Sequence, residues 1–426
     1  MNIDTNNIKH SLKRMVSTGF FPIVISNILV KVVAFCGGMI LVRILTKEDY
    51  GMYTYVLNAY NLIMITGDLG CAVAAMQFCN ESFEDIAKAD GFFIYGMKVS
   101  IIGSIFSSLL LLLSPVYYPF SIDKVALLTA SLCLMPFINN INGFLVMNLR
   151  IKLRNRRYAF LNIFMSIINY VVMLPMAWII GLEGSIYAIY IVGILSLAMG
   201  VFLNHKHFPS TLTAGTLQKA EKSSFLKLAL SSQANNGIDH LLMLLDVFLI
   251  GLFISSSTII ASYKVSTTIP SALLFIPSSL MIYLVPYFSR KSKEIEWVKK
   301  NYKRVILYGG VFNLALSILF IALSPFIIPL IFGKQYSDAV MCFAILMIGY
   351  FFSATFRIPS SNIIYTQHKV KVNLIITISS GILNCILDIV FILYWGSVGA
   401  AIATTLVNIY NGMFSFLYMK YYFSKR

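Results

Sequence analysis

Long apolar runs, separated by short polar stretches, fill the chain from one end to the other. An α-helix needs about 20 predominantly apolar residues to cross roughly 30 Å of hydrocarbon. Applied to this chain, that length predicts twelve helical spans, which are 17–42, 51–77, 91–114, 124–148, 158–180, 184–203, 227–252, 258–288, 303–331, 338–363, 370–395 and 397–423. We therefore predict an all-α polytopic membrane protein with twelve transmembrane helices.

The composition agrees with this prediction, because 58% of the residues are hydrophobic and 12% are charged. The net charge of +16 raises the question of a nucleic-acid partner, and the positions of the cations answer it. With the N-terminus inside, 25 of the 33 Lys and Arg residues fall on the cytoplasmic side, four fall outside and four lie within spans. Cationic loops stay cytoplasmic, so we predict cytoplasmic N- and C-termini, attraction to membrane lipids and no nucleic acid.

The two halves of the chain repeat each other. "LSPVYYPF" from Leu113 recurs as "LSPFIIPL" from Leu323, and "GMY" from Gly51 faces "ASY" from Ala261, both at an offset of 210. At an offset of 215, three small residues entering span 6 recur entering span 12: Gly181, Gly184 and Ala188 match Gly396, Gly399 and Ala403. Three matches in one order predict a 6+6 duplication with two pseudo-symmetric six-helix bundles.

The predicted domains are an N-terminal bundle over 1–203, a polar cytoplasmic linker over 204–226 and a C-terminal bundle over 227–426. Two such bundles can rock against each other and expose a central cavity to each side in turn. Three prolines, Pro270, Pro277 and Pro286, predict that span 8 is bent. A gating bend and a tolerated kink remain equally open interpretations.

Eight ionisable residues fall within the predicted spans, where a central charge costs about 2.5 to 3.5 kcal/mol on insertion scales. They are Lys31, Asp68, Lys98, Asp239, Asp246, Lys264, Arg357 and Asp388. Depth along the helices suggests two ion pairs, Asp68 with Lys98 and Asp246 with Lys264. Structural pairing is the favoured interpretation of these four residues, and ion coupling is the alternative.

Lys31 and Arg357 differ, because no acid of matching depth is adjacent in sequence. A cation facing a wet cavity attracts an anion, and arginine binds phosphate in bidentate fashion, so both are predicted substrate-binding residues. Asp239 and its neighbour His240 suit a proton relay or an interhelical hydrogen bond, the second being favoured. Asp388 is the least informative of the set.

Several chemistries are excluded or disfavoured. The sequence contains no G-x-x-x-x-G-K-[ST] phosphate-binding loop, and its six cysteines have no C-x-x-C spacing, so we expect no ATPase, cofactor, metal site or disulfide framework. The predicted outer loops are short, which weighs against a membrane polysaccharide polymerase or ligase. We expect no catalytic residues.

The run from Val42, "VRILTKEDYGMYTYVLNAYNLIMITGDLG", resembles a signature of the polysaccharide transport proteins. These belong to the multidrug/oligosaccharidyl-lipid/polysaccharide exporter superfamily (MOP), which includes the O-antigen flippases. The resemblance is carried by an Arg at the end of helix 1, an acidic turn, Tyr-Gly-x-Tyr and Asp-Leu-Gly, here Arg43, Glu48, Tyr50, Gly51, Tyr53, Asp68, Leu69 and Gly70.

The resemblance implies a MATE-like fold, a location in the bacterial cytoplasmic (inner) membrane and no enzyme activity. It also implies a flippase that moves an undecaprenyl-diphosphate-linked oligosaccharide, such as an O-antigen unit of lipopolysaccharide, between leaflets by alternating access. Polysaccharide polymerase machinery is a further expected partner. A basic cavity is typical of the family and suits Lys31 and Arg357. A multidrug/cation antiporter of the same superfamily is the alternative, with Asp68 and Asp239 serving ion coupling.

Overall fold

A computed structural model describes residues 20–118, 120, 122–205, 208–209 and 215–425, and every regular element within them is helical. By their internal contacts the residues form two compact units. Unit 1 comprises Val56–Leu244 and the chain up to Leu45, and unit 2 comprises Thr46–Tyr55 and Leu245–Arg426. The 1–203 and 227–426 division stays a prediction about the sequence repeat.

The first eight helices are α1 Phe20–Ile44, α2 Lys47–Met64, α3 Cys71–Glu81, α4 Ile86–Tyr117, α5 Asp123–Ser131, α6 Met135–Ile151, α7 Asn155–Ile180 and α8 Leu182–Asn204. In unit 1, α1 packs on α7, α7 on α8, and α3 on α4 and α6. Small residues of α3, among them Cys71 and Ala74, are fully buried beside the rings of Phe92, Phe144 and Phe225. These small side chains allow the close helix approach that membrane bundles use.

The remaining helices are α9 Lys219–Ile254, α10 Ser257–Leu273, α11 Phe275–Arg290, α12 Ile295–Phe332, α13 Ala339–Phe352, α14 Ile358–Thr366 and α15 Val370–Ser424. A 3₁₀ turn, Lys334–Tyr336, precedes α13, and a π-helical segment, Ser353–Arg357, follows it. In unit 2, α13 packs on α10, α12 and α15. Predicted span 8 is interrupted at Leu274, between α10 and α11, because Pro277 has no N–H to donate to the carbonyl oxygen of Leu273. The bend of this span stays a prediction.

Eight helices in the described residues are long and apolar enough to cross a membrane, or nine if the bent pair α5 and α6 is one span. Predicted span 2 is interrupted between Met64 and Cys71, and predicted span 7 retains only a shorter apolar helix, His240–Ile254. Helix α15 has 55 residues and covers predicted spans 11 and 12, with non-helical backbone at Gly396. The chain is a multi-pass membrane protein, while the number twelve and the cytoplasmic termini stay predictions.

Local geometry supports the predicted repeat. Gly181 and Gly396, 215 residues apart, share an unusual backbone conformation, with φ, ψ of 70°, −135° and 60°, −137°. A Cβ on Gly184 would lie 2.1 Å from the carbonyl oxygen of Met176, and one on Gly399 would lie 1.9 Å from that of Phe391. Both pairs therefore make the same helix-to-helix backbone contact at the same offset.

Candidate functional site

A cluster of polar side chains lies inside unit 2, where α9, α10 and both parts of α15 meet. Its centre is Asp246 of α9, whose Oδ2 accepts hydrogen bonds from the hydroxyls of Tyr263 and Thr404, the latter at 2.8 Å. Asp388 of α15 is fully buried, and its Oδ2 accepts a hydrogen bond from the amide of Asn384 at 2.8 Å. Residues 158 positions apart thus converge on one carboxylate. We call these five residues the acid cluster.

The two carboxyl groups of the acid cluster, Asp246 and Asp388, are within hydrogen-bonding contact of each other. Two ionised carboxylates repel, so this contact favours protonation of one of the two groups. Oδ1 of Asp388 is buried and receives no hydrogen bond from an N–H or a hydroxyl in the described part of the chain, which leaves it for the contact with Asp246. A buried carboxyl pair is a position where a proton or a small cation can be taken up and released.

The side chains of the acid cluster offer an ion only oxygen ligands, from two carboxylates, two hydroxyls and one amide carbonyl. The remaining polar atom is the amide nitrogen of Asn384. Oxygen donors suit hard ions rather than zinc or copper. No group of three or more His, Cys, Asp or Glu side chains that suits a metal occurs among the described residues. The chemistry of the cluster therefore favours a proton or a singly charged hard cation.

The predicted ion pair between Asp246 and Lys264 does not occur in the described structure. Asp246 faces Tyr263 and Thr404 instead, and the side chain of Lys264 is exposed. Equal depth along two helices sets the height of a side chain but not its direction around the helix axis, which is why the prediction failed. The sequence did contain a signal for Asp388, since Asn384 is four residues before it, on the same helix face.

Asp68 lies at the interruption between α2 and α3. Its Oδ1 accepts a hydrogen bond from the backbone N–H of Gly70 at 3.0 Å, and Leu69 and Gly70 both have left-handed backbone, with φ of 53° and 72°. A Cβ on Gly70 would lie 2.1 Å from the carbonyl oxygen of Ala229. Asp68 therefore stabilises a tight turn against α9, which accounts for an Asp-Leu-Gly sequence there.

The predicted ion pair between Asp68 and Lys98 does not occur among the described residues either, because Asp68 turns back to its own backbone and Lys98 is exposed. Asp68 also lines a cavity of about 190 Å³ inside unit 1, together with Asn139 and Asn140. The amides of these two asparagines donate to Tyr60 and to Ser100 and Ser104, respectively. The cavity is small, and the rest of its lining is apolar or glycine. Ion coupling by Asp68 stays a prediction beside its structural role.

The two predicted substrate-binding cations belong to different units. Lys31 lies on α1 in unit 1 with an exposed side chain. Arg357 lies at the end of the π-helical segment in unit 2, and its Nε donates a hydrogen bond to Ser353 Oγ at 2.7 Å. π-helical segments often mark functional positions, because they redirect side chains that a regular helix would place elsewhere. The side chain of Asp239 lies outside the described residues, and His240 is exposed on α9.

The start of α2 is held by an ion pair and hydrogen bonds that the sequence did not predict. Lys47 Nζ contacts both oxygens of Asp338 at 2.8 Å and the carbonyl oxygen of Gln335 at 3.0 Å. Ser262 donates a second hydrogen bond to Asp338 at 2.8 Å. One turn on, a Cβ on Gly51 would lie 1.8 Å from the carbonyl oxygen of Ser257. The Tyr-Gly-x-Tyr stretch is thus part of unit 2 and packs there against the beginning of α10.

Comparison with solved structures shows which proteins share this fold. An inward-facing multidrug resistance MATE family transporter of the MOP superfamily superposes with a TM-score of 0.76 at 15% identity, covering 93% of this chain and 95% of the other. The lipid II flippase MurJ in an inward closed conformation superposes with a TM-score of 0.75 at 15% identity, covering 93% and 87%. An outward-facing MATE transporter gives 0.62 at 14% identity, covering 97% and 96%. The chain therefore has the fold of the MOP superfamily.

The family is set by sequence. The profile described as "Polysaccharide biosynthesis protein" matches residues 40–341, which is most of the chain. This protein belongs to that family, as the signature from Val42 suggested. No curated protein sequence matches the chain.

Proposed function

We propose that this chain is a flippase that moves an undecaprenyl-diphosphate-linked oligosaccharide, an O-antigen unit of lipopolysaccharide or a similar repeat unit, from the inner to the outer leaflet of the bacterial cytoplasmic membrane. The observation that carries the proposal is membership of a polysaccharide biosynthesis family in a chain with the MOP fold. We propose that the flippase transports its substrate without changing it chemically and that it needs no cofactor. Polysaccharide polymerase machinery is its proposed functional partner.

The proposed substrate carries a diphosphate, and the chain offers two intramembrane cations for it. Arg357 is oriented by Ser353 through a hydrogen bond from its Nε at 2.7 Å, and a guanidinium matches the geometry of a phosphate. Lys31 is exposed on α1 and provides a compact second charge. We propose that both residues bind the diphosphate during the transport cycle.

The acid cluster is the proposed coupling site. The buried contact between the carboxyl groups of Asp246 and Asp388 supports exchange of a proton, or of a small cation, with the solution. Binding there changes the charge of a buried pair, and such a change alters the packing of the helices that hold it. Helix α15 contributes from both sides of Gly396, so the cluster joins two differently directed parts of one element.

The proposed activity can be measured in proteoliposomes. Fluorescent undecaprenyl-diphosphate oligosaccharide is incorporated in both leaflets, and an impermeant reductant bleaches the label that becomes accessible outside. Protein-dependent loss of the protected signal is expected. Substituting Lys31→Gln and Arg357→Gln together is expected to slow it roughly tenfold or more, because a hydrogen bond to a charged group contributes about 1.5–3 kcal/mol. Lys98→Gln, a second exposed intramembrane cation, is the matched control and is expected to retain the wild-type rate.

The same vesicles test the coupling site. Imposed proton or sodium gradients are expected to change the wild-type rate, and Asp388→Asn is expected to abolish that response. Thr404→Val removes a hydroxyl from the acid cluster, whereas Thr405→Val removes one that bonds the carbonyl oxygen of Ile345 instead. A gradient response lost equally in both threonine variants would contradict the proposed site.

A multidrug/cation antiporter is the second candidate, favoured by the acid cluster and by the fold shared with a MATE transporter. The proteoliposomes separate the two. Proton-driven export of small organic cations without any movement of the lipid-linked oligosaccharide would establish the antiporter and refute the flippase.

A further inference from the structure

An aromatic groove runs along the surface of unit 2 between α11 and α12. It encloses about 470 Å³. On α11 it is lined by one helix face that includes Tyr283 and Tyr287, and on α12 by a face that includes Trp297, Arg304 and Tyr308. The residues recur at intervals of three and four on both helices, so the groove follows the two helix axes rather than crossing them.

The groove is open on its outer side. Tyr283 and Tyr308 are 64% and 68% exposed, and the apolar residues that flank the groove, Ile282 and Leu307, are 71% and 61% exposed. Rings and aliphatic side chains exposed to this extent on a membrane-spanning helix need an apolar cover. A lipid acyl chain supplies one, whereas water does not.

One end of the groove is strongly cationic. Seven Lys and Arg residues lie in 290–304, and two of them are neutralised, Lys291 by Glu294 at 2.9 Å and Lys299 by Glu296 at 3.4 Å. Arg304 lines the groove itself and makes no hydrogen bond or ion pair to any described residue. The charge of this region therefore matches an anion located at Arg304, toward the end of the groove that the positive-inside rule assigns to the cytoplasm.

The length of the groove limits what fills it. From Arg304 to Gly309 the lining of α12 continues for five residues, or about 7.5 Å at 1.5 Å per residue. Half of the hydrocarbon core is about 15 Å. The groove beyond Arg304 therefore matches the first half of one acyl chain in one leaflet, and the polyprenyl chain of the proposed substrate is much longer.

We propose that this groove binds an anionic glycerophospholipid of the cytoplasmic leaflet. Its phosphate lies at Arg304, beside the amide of Asn301, and one acyl chain lies against Leu280 and the ring of Tyr308, on the side of Arg304 away from the α11–α12 turn. Basic pockets between membrane helices on the cytoplasmic side are suited to anionic head groups. The site is independent of the substrate that the protein transports.

Tyr308 lines the groove one turn beyond Arg304, so a tryptophan at that position reports on the acyl chain. The test uses full-length protein with Trp178→Phe, Trp297→Phe, Trp395→Phe and Tyr308→Trp, in phosphatidylcholine bilayers that contain a small fraction of phosphatidylglycerol with brominated acyl chains, which quench tryptophan on contact. Saturable quenching is expected with brominated phosphatidylglycerol, at an apparent affinity about fivefold higher than with brominated phosphatidylcholine. Arg304→Gln is expected to abolish this preference.

Lys303→Gln is the matched control. It removes the same charge from the neighbouring exposed position, which does not line the groove. Retention of the preference in this variant supports a site at Arg304. Equal loss in both variants would show general surface attraction and overturn the proposal, and so would equal quenching by the two lipids. Displacement of the bromolipid by undecaprenyl phosphate but not by unlabelled phosphatidylglycerol would assign the groove to the substrate carrier instead.

Discussion

Gly51, in the Tyr-Gly-x-Tyr stretch of α2, is the position where unit 2 tolerates a side chain least. A Cβ there would lie 1.8 Å from the carbonyl oxygen of Ser257 and 2.4 Å from its carbonyl carbon. Both are backbone atoms at the beginning of α10, so no side-chain rotation relieves the contact. Replacing Gly51 with alanine therefore forces the start of α2 away from α10 by more than 1 Å to reach van der Waals contact.

The expected cost follows from two opposing terms. Overpacking a close contact costs about 1–3 kcal/mol, and replacing glycine with alanine inside a helix recovers about 1 kcal/mol. Because the contact is with backbone atoms that cannot rotate away, the overpacking cost falls in the upper half of that range, about 2–3 kcal/mol. We therefore expect Gly51→Ala to be destabilising by about 1–2 kcal/mol overall. For a unit of this size, that change lowers the melting temperature by roughly 2–8 °C.

Thermal unfolding of the detergent-purified protein, followed by loss of the monodisperse chromatographic peak, measures this shift. Gly309→Ala is the matched control, because Gly309 is also helical, lies in the same unit and has open space where its Cβ would be. We expect that variant to melt at or above the wild-type temperature. Equal melting temperatures for the two variants would refute the steric argument.

Three further predictions test other contacts. A double-mutant cycle on Lys47→Gln and Asp338→Asn is expected to give a coupling energy of up to about 1 kcal/mol, as for other exposed ion pairs. Zero coupling would mean that packing alone holds the start of α2 in place. Gly396→Ala is expected to cost about 1–3 kcal/mol in thermal unfolding, because φ, ψ of 60°, −137° strains any L-residue; an unchanged melting temperature would contradict this. Lys88 holds the pKa of the Glu221 carboxyl below its usual value by a hydrogen bond and by its charge. The resulting stabilisation is fully present above the unfolded carboxyl pKa of about 4.3 and is lost as the pH falls through the lowered pKa, so Glu221→Gln is expected to flatten that part of the stability profile.

The sequence predicted what depends on local pattern and composition. The membrane class, the helical content and the interruption of span 8 at Leu274 follow from apolar run length and proline chemistry. The repeat is supported because glycine is required where Gly181 and Gly396 adopt backbone that other residues avoid.

The arrangement of polar side chains inside unit 2 was not predictable in the same way. Thr404 donates to Asp246 across 158 residues, and nothing local in either segment specifies that direction. Depth arguments paired Asp246 with Lys264 because both lie near one turn, yet hydroxyl donors satisfied the carboxylate instead. Interhelical polar contacts depend on helix rotation, which hydrophobic periodicity defines poorly in helices that are apolar on every side.

The two units are not consecutive along the chain, and this affects how the protein is made. Residues 46–55 belong to unit 2 but are synthesised before most of unit 1, and the last residues of unit 1, up to Leu244, lie in the same helix as the first of unit 2. Domains usually fold in order as the chain emerges. Here unit 1 cannot complete its contacts until α9 has been made, and the start of α2 waits for its partner residues in α10 and at Asp338. The nascent chain must therefore carry an unfinished N-terminal unit in the membrane while more than half of its length is translated.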